Sequence, residues 1–91
     1  MSVTINLHPS LYQATDGQAI IKVEGNTVGQ CLDDLIRQFP KIKPWVFDKK
    51  GKLLNYVDVY VNQESSYPEE LAKPVKDGDE LHITLFVIAG G

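Results

Sequence analysis

Residues 27–40 constrain the fold most, because they hold the one strong helical signature of this 91-residue chain. Thr27-Val28-Gly29-Gln30 has the form of a capping box: the threonine hydroxyl accepts from the third helical N–H while Gln30 reaches back to the cap. Beyond it Val28, Leu32, Leu35, Ile36 and Phe39 fall on one helical face, with Asp33, Asp34, Arg37 and Gln38 on the other. Pro40 ends the helix. A single amphipathic helix must bury its stripe on one face of one sheet, so the expected architecture is a two-layer α+β domain.

The strands follow from alternation. Val3, Ile5 and Leu7 alternate with Thr4 and Asn6, the pattern of a half-buried strand, which His8-Pro9-Ser10 closes. Residues 11–18 read as a connection with a turn at Asp16-Gly17. Residues 19–24 form the second strand, and adjacency predicts an antiparallel pair. After the helix, Trp45, Val46 and Phe47 predict a short helical turn or an irregular segment packing on the core, since Pro44 opposes a continuous strand. Leu53-Leu54 is a candidate short strand, and residues 57–62 are a clear one, with valines on one side and Asp58, Tyr60 and Asn62 on the other. Residues 63–68 read as a polar loop, and Lys76-Asp77-Gly78-Asp79 as a tight turn before a last apolar strand from Leu81. The order is ββ, helix, irregular segment, ββ, with no internal repeat or linker.

Composition narrows the function. Net charge is −3 without a basic cluster, which argues against nucleic acid or an anionic membrane as partner. One cysteine permits no internal disulfide and fits a reducing compartment. No leader and no apolar run of spanning length is expected, so the expected location is the cytoplasm. Cys31 beside the apolar stripe reads as a small buried hydrophobe and not a nucleophile. His8 and His82 are far apart in sequence and lack further ligands at metal-binding spacing. Asp77, Asp79 and Glu80 form an acidic corner better explained by turn chemistry than by a calcium loop. No phosphate-binding glycine loop or nucleophile–base set is present, so no catalytic residue is assigned.

The C-terminal run, Leu81-His82-Ile83-Thr84-Leu85-Phe86-Val87-Ile88 then Ala89-Gly90-Gly91, carries the functional signal. The expected organisation is a folded domain over residues 1–88 and a flexible Ala-Gly-Gly tail over 89–91. A frayed terminus is the plain alternative. Two terminal glycines arise by chance in roughly 0.5% of chains, however. Glycine also lets a partner's walls close tightly on the backbone. Residues 88–91, extended, reach roughly 13 Å from the domain. The α-carboxylate of Gly91 is a poor electrophile, so chemistry on it needs activation by another enzyme, and the tail reads as a substrate. If Leu81, Ile83, Leu85 and Val87 face the helix, then His82, Thr84, Phe86 and Ile88 face away. Phe86 and Ile88, with His82 and Tyr60, are the candidate docking patch; the alternative is an edge packed under a loop.

These residues resemble the sulfur carriers of the MoaD/ThiS family, ubiquitin-like β-grasp proteins. The resemblance is carried by Val23-Glu24-Gly25-Asn26-Thr27-Val28, by Asp33 through Phe39-Pro40, and by Val59-Tyr60-Val61-Asn62-Gln63. Residues 74–81 and the Gly90-Gly91 end complete it. It implies a mixed four- to five-stranded sheet packed on one main helix. It further implies that an E1-like enzyme adenylates Gly91 with ATP, that a C-terminal thiocarboxylate forms, and that Gly90 and Ala89 give the tail passage. No intrinsic cofactor is implied. A sulfur-accepting synthase would be the second partner, of the molybdopterin synthase large-subunit or thiazole synthase type, and the free carrier would be a monomer. Size and the Val-Tyr-Val-Asn strand put molybdopterin synthesis first among the acceptors. Thiamine thiazole, cysteine or methionine synthesis are alternatives, as is a protein modifier joined to lysine through Gly91.

Overall fold

The computed structural model describes residues 1–85. The predicted helix forms as α1, Val28–Gln38. The Thr27 hydroxyl accepts from the Gln30 amide at 3.1 Å, as the capping box requires. The Gln30 side-chain oxygen accepts from the Asn26 amide at 2.8 Å, one residue ahead of the cap and not on Thr27 itself. At the other end the Phe39 amide closes onto the Leu35 carbonyl, and Pro40 opens a separate 3-10 turn, Pro40–Ile42.

Five strands make the sheet: β1 Ser2–Leu7, β2 Ile20–Glu24, β3 Val57–Val61, β4 Glu64–Ser65 and β5 Glu80–Leu85, in the order β2-β1-β5-β3-β4. β1 and β5 run parallel in the centre; the remaining pairs are antiparallel. This is the expected β-grasp. The first and last described strands lie side by side in the middle of the sheet, and one helix covers one of its faces. Period-two alternation sends Val3, Ile5 and Leu7, Ile21 and Val23, Val57, Val59 and Val61, and Leu81 and Ile83 to that face. There they bury against Val28, Leu32 and Leu35. Each such side chain contributes about 1.5–3 kcal/mol by leaving water.

Several expectations are corrected. The connection read over residues 11–18 begins within a 3-10 helix, Pro9–Ala14, that buries Leu11 and Ala14, because Pro9 is pre-set for a first helical turn and the His8 ring nitrogen accepts from the Ser10 amide. Residues 43–46 form the short helix α2, Lys43–Val46. Val46 and Phe47 pack on the core as expected, but Trp45 is 44% exposed: one helical turn cannot turn three consecutive side chains inward. Leu53 makes only an isolated bridge to Phe47. The polar loop after residue 62 contains β4, too short for its alternation to be read.

Asp34 is the most informative correction. Placed on the polar face by periodicity, it is only 8% exposed. Its Oδ2 accepts from the Glu24 amide at 2.8 Å, and Arg37 donates to its other oxygen. Nearby, Gln38 donates to the Lys22 carbonyl at 3.0 Å. Two polar residues of α1 therefore satisfy the outward backbone groups of β2. That blunts an edge which would otherwise offer itself to another chain.

Gly25 explains the turn between β2 and α1. A Cβ built there would lie 2.7 Å from the Cys31 amide nitrogen and 3.0 Å from its Sγ. The first turn of the helix sits directly on the backbone of residue 25. Gly25→Ala is expected to destabilise the domain by about 1–3 kcal/mol, the usual cost of overpacking. Urea denaturation checks this; an unchanged midpoint would mean that the helix start can slide.

Candidate functional site

β5 lies between β1 and β3, and its last described residue, Leu85, pairs with Val57 at the start of β3. The chain therefore leaves Leu85 from a strand that is paired on both sides. Leu81 and Ile83 face the helix and are buried, and Leu85 packs against the same core, as the alternation predicts. Phe86, Ile88, Ala89, Gly90 and Gly91, to which the sequence assigns docking, passage and chemistry, lie outside the described residues.

Of the assigned docking residues, the structure brings Tyr60 and His82 together. They are direct cross-strand partners of β3 and β5 on the face away from α1. With Gln63 and Thr84 they line a depression of about 360 Å³. Thr84 is held there by a 3.2 Å bond from its hydroxyl to the Asp58 carbonyl. The His82 Nδ1 atom is buried with no hydrogen-bond partner among the described residues. Gln63 and Thr84 were not assigned to the site from sequence. Period-two alternation already put Thr84 on this face; Gln63 follows a turn whose left-handed backbone, φ 49° at Asn62 and 74° at Gln63, has no glycine to announce it.

The other candidate groups are structural. Cys31 is fully buried, and burial pushes its thiol up to about 11, the reverse of what a nucleophile at neutral pH needs. The acidic corner is a set of turn bonds. Asp77 accepts from the Ser2 amide at 2.7 Å, and Asp79 accepts from Asn62 Nδ2 at 2.9 Å and from the Lys76 amide at 2.8 Å. These bonds, the one from Asn62 foremost, hold the Asp79 carboxyl below its ordinary range. Among the described residues no three His, Cys, Asp or Glu side chains cluster as metal ligands would. Among the described residues the arrangement offers a surface beside the end of β5.

Comparison with known proteins gives the same picture. The model of the ThiS family matches residues 7–91. The sulfur carrier protein CysO of Mycobacterium tuberculosis is 34% identical over 94 residues, covering all of both chains. Among solved structures, a chain of the Amycolatopsis orientalis BexX/CysO complex is 33% identical with a TM-score of 0.87, over 98% of this chain and 99% of that one. SAMP1 from Haloferax volcanii is 28% identical with a TM-score of 0.86 over all of both. The Mycobacterium tuberculosis relative is a sulfur carrier protein by name, and the Amycolatopsis orientalis CysO is seen in complex with another protein. With the β-grasp sheet, the family match and an end-to-end carrier relative agreeing, the chain belongs to the ThiS family of ubiquitin-like sulfur carrier proteins.

Proposed function

We propose that this chain carries sulfur as a thiocarboxylate on Gly91. An adenylating enzyme joins the carboxylate to the α-phosphate of ATP and releases pyrophosphate; a sulfide-level sulfur then displaces AMP. The thiocarboxylate sulfur attacks an electrophilic carbon held by an acceptor protein, expelling its leaving group and forming a thioester; water then attacks the Gly91 carbonyl, so that the sulfur stays on the acceptor's product and the carboxylate returns. Gly90 and Ala89 give the tail passage into each partner. The Tyr60–His82 face, continued by Phe86 and Ile88, is the proposed docking surface, and residues 1–88 with a tail of 89–91 remain the proposed division of the chain. The observation that carries the reading is the family match, which runs through Gly91 and so includes the terminal glycines in the shared pattern.

Molybdopterin, first by sequence, is not named by any of the three relatives above. The two named CysO support cysteine synthesis, one of the alternatives, as the acceptor pathway. A second reading is favoured by the similarity to SAMP1, whose name is small archaeal modifier protein: Gly91 joined to a lysine of a target. The two share adenylation and differ in the attacking nucleophile.

The test is the intact mass of the protein after incubation with its host's adenylating enzyme, ATP and a sulfide source. Exchange of one oxygen for sulfur is the expected result. An unchanged mass with an active enzyme would refute carriage, and isopeptide adducts in cells would move the modifier reading to the front.

A further inference from the structure

We propose that the groove between residues 52–58 and 67–72 is a second docking site, used by the enzyme that activates Gly91, and that it receives an apolar side chain carried beside a lysine or arginine. The inference rests on the carrier reading above. The groove measures about 710 Å³, with Leu53, Leu54 and Val57 on one wall and Tyr67, Leu71 and Ala72 on the other. Nothing in the Tyr60–His82 depression contributes to it.

Three observations converge. The first is position. The wall residue Val57 is the cross-strand partner of Leu85, so the groove opens beside the point where residues 86–91 begin. A stable interface covers roughly 800 Å² per partner, a disc of about 16 Å radius. A partner that takes those six residues and approaches from the side of Val57 therefore covers this ground as well.

The second is charge. Asp58, Glu69 and Glu70 lie along the groove against a single cation, Lys52. Lys73 pairs with Glu69 at 3.3 Å, and the Asp58 carboxylate accepts from the Ser65 hydroxyl at 2.9 Å. Glu70 has no ion pair among the described residues. Its backbone is held in the left-handed region, φ 50°, by bonds from its amide to the Ser66 carbonyl and to its carbonyl from the Lys73 amide. A carboxylate on a hydrogen-bonded turn that lines the same groove as apolar side chains selects a cation next to an apolar group.

The third is the exposed aromatic surface. Tyr67 is 73% exposed, and Tyr56, beside Val57, is 45% exposed. Tyrosines at the margin of an apolar groove are the residues that carry binding energy in protein interfaces.

The activating enzyme is the occupant because it most needs such a surface. An α-carboxylate occurs on every chain, and Ala89-Gly90-Gly91 has almost no side chain to read. Selection must therefore come from the folded domain. The acceptor, by contrast, can also read the thiocarboxylate sulfur, which chains that have not been activated lack.

Gly91-dependent ATP–pyrophosphate exchange with the host's adenylating enzyme tests this, using the full chain and the variants Tyr67→Ala and Glu70→Lys. Each variant is expected to raise KM for the carrier about tenfold with kcat nearly unchanged, the signature of lost binding that is equal in ground and transition states. Ile20→Ala, at the far edge of the sheet, should leave both constants alone. A KM within about threefold of wild type for either variant overturns the assignment, tenfold being only about 1.4 kcal/mol. That holds also if sulfur delivery is then impaired, since the groove would belong to the acceptor. Wild-type protein that supports no Gly91-dependent exchange would instead refute the carrier reading, and this proposal with it.

Discussion

Deletion of Gly91 is expected to abolish activation of the chain, lowering adenylation by at least about a thousandfold, while the thermal midpoint stays within about a degree. The two halves of this prediction have separate causes. The deletion moves the carboxylate back by one residue, about 3.5 Å along an extended chain. Misplacement by 1 Å already costs on the order of a hundredfold in a preorganised site, and the thread has no side chain with which to re-anchor itself. Stability is set elsewhere, since the buried hydrophobic cluster of the described residues runs from Val3 to Ile83. Pyrophosphate exchange and a melting curve on the same preparation check both halves. Retained exchange would show that Gly91 is not the activated residue.

Asp34→Ala is expected to cost about 3 kcal/mol at neutral pH, on the order of 15 °C in melting temperature for a domain this size. The substitution strands the Glu24 amide, which Asp34 now accepts at 2.8 Å, and removes a charge-assisted bond from Arg37. Those same bonds, the one from Glu24 first and then those from Arg37 and Gln38, hold the Asp34 carboxyl below its usual range. The sign of the pH effect follows. A carboxyl whose folded pKa lies below its unfolded value contributes its full stability above the unfolded value, near pH 4, and loses it as pH falls through the folded one. Asp34→Asn should therefore flatten the acid limb of stability against pH. It should not remove it, because Asp79 is depressed in the same direction by Asn62 and Lys76. Urea denaturation at pH 7 and pH 3 measures this; an acid limb unchanged by the substitution would mean that Asp34 is equally well served in the unfolded chain.

The sequence by itself determined what depends on local pattern. The capping box at Thr27 and Gln30, the stripe from Val28 to Phe39 and the stop at Pro40 place one helix. Alternation places four of the five strands and the face each buries, and adjacency pairs β1 with β2. The terminal glycines are legible as the proposed reacting end because the proposed chemistry depends on the chain itself and not on a fold around it. What only the tertiary structure decided depends on atoms distant in sequence. Asp34 turns inward because the edge of β2 presents an unpaired amide at Glu24, which no helical wheel contains. Gly25 is required by the helix turn lying on it, since the space for a Cβ is filled by Gln30 and Cys31, five and six residues further along the chain. Tyr60 and His82, 22 positions apart, meet only through the register of β3 on β5. The groove walled by Leu54 and Leu71 has no pattern along the chain at all, since it exists only where two irregular segments pass each other. Periodicity reports which way a side chain points from its own backbone. What it then meets is fixed by long-range packing, and that is where the proposed partner surfaces are made.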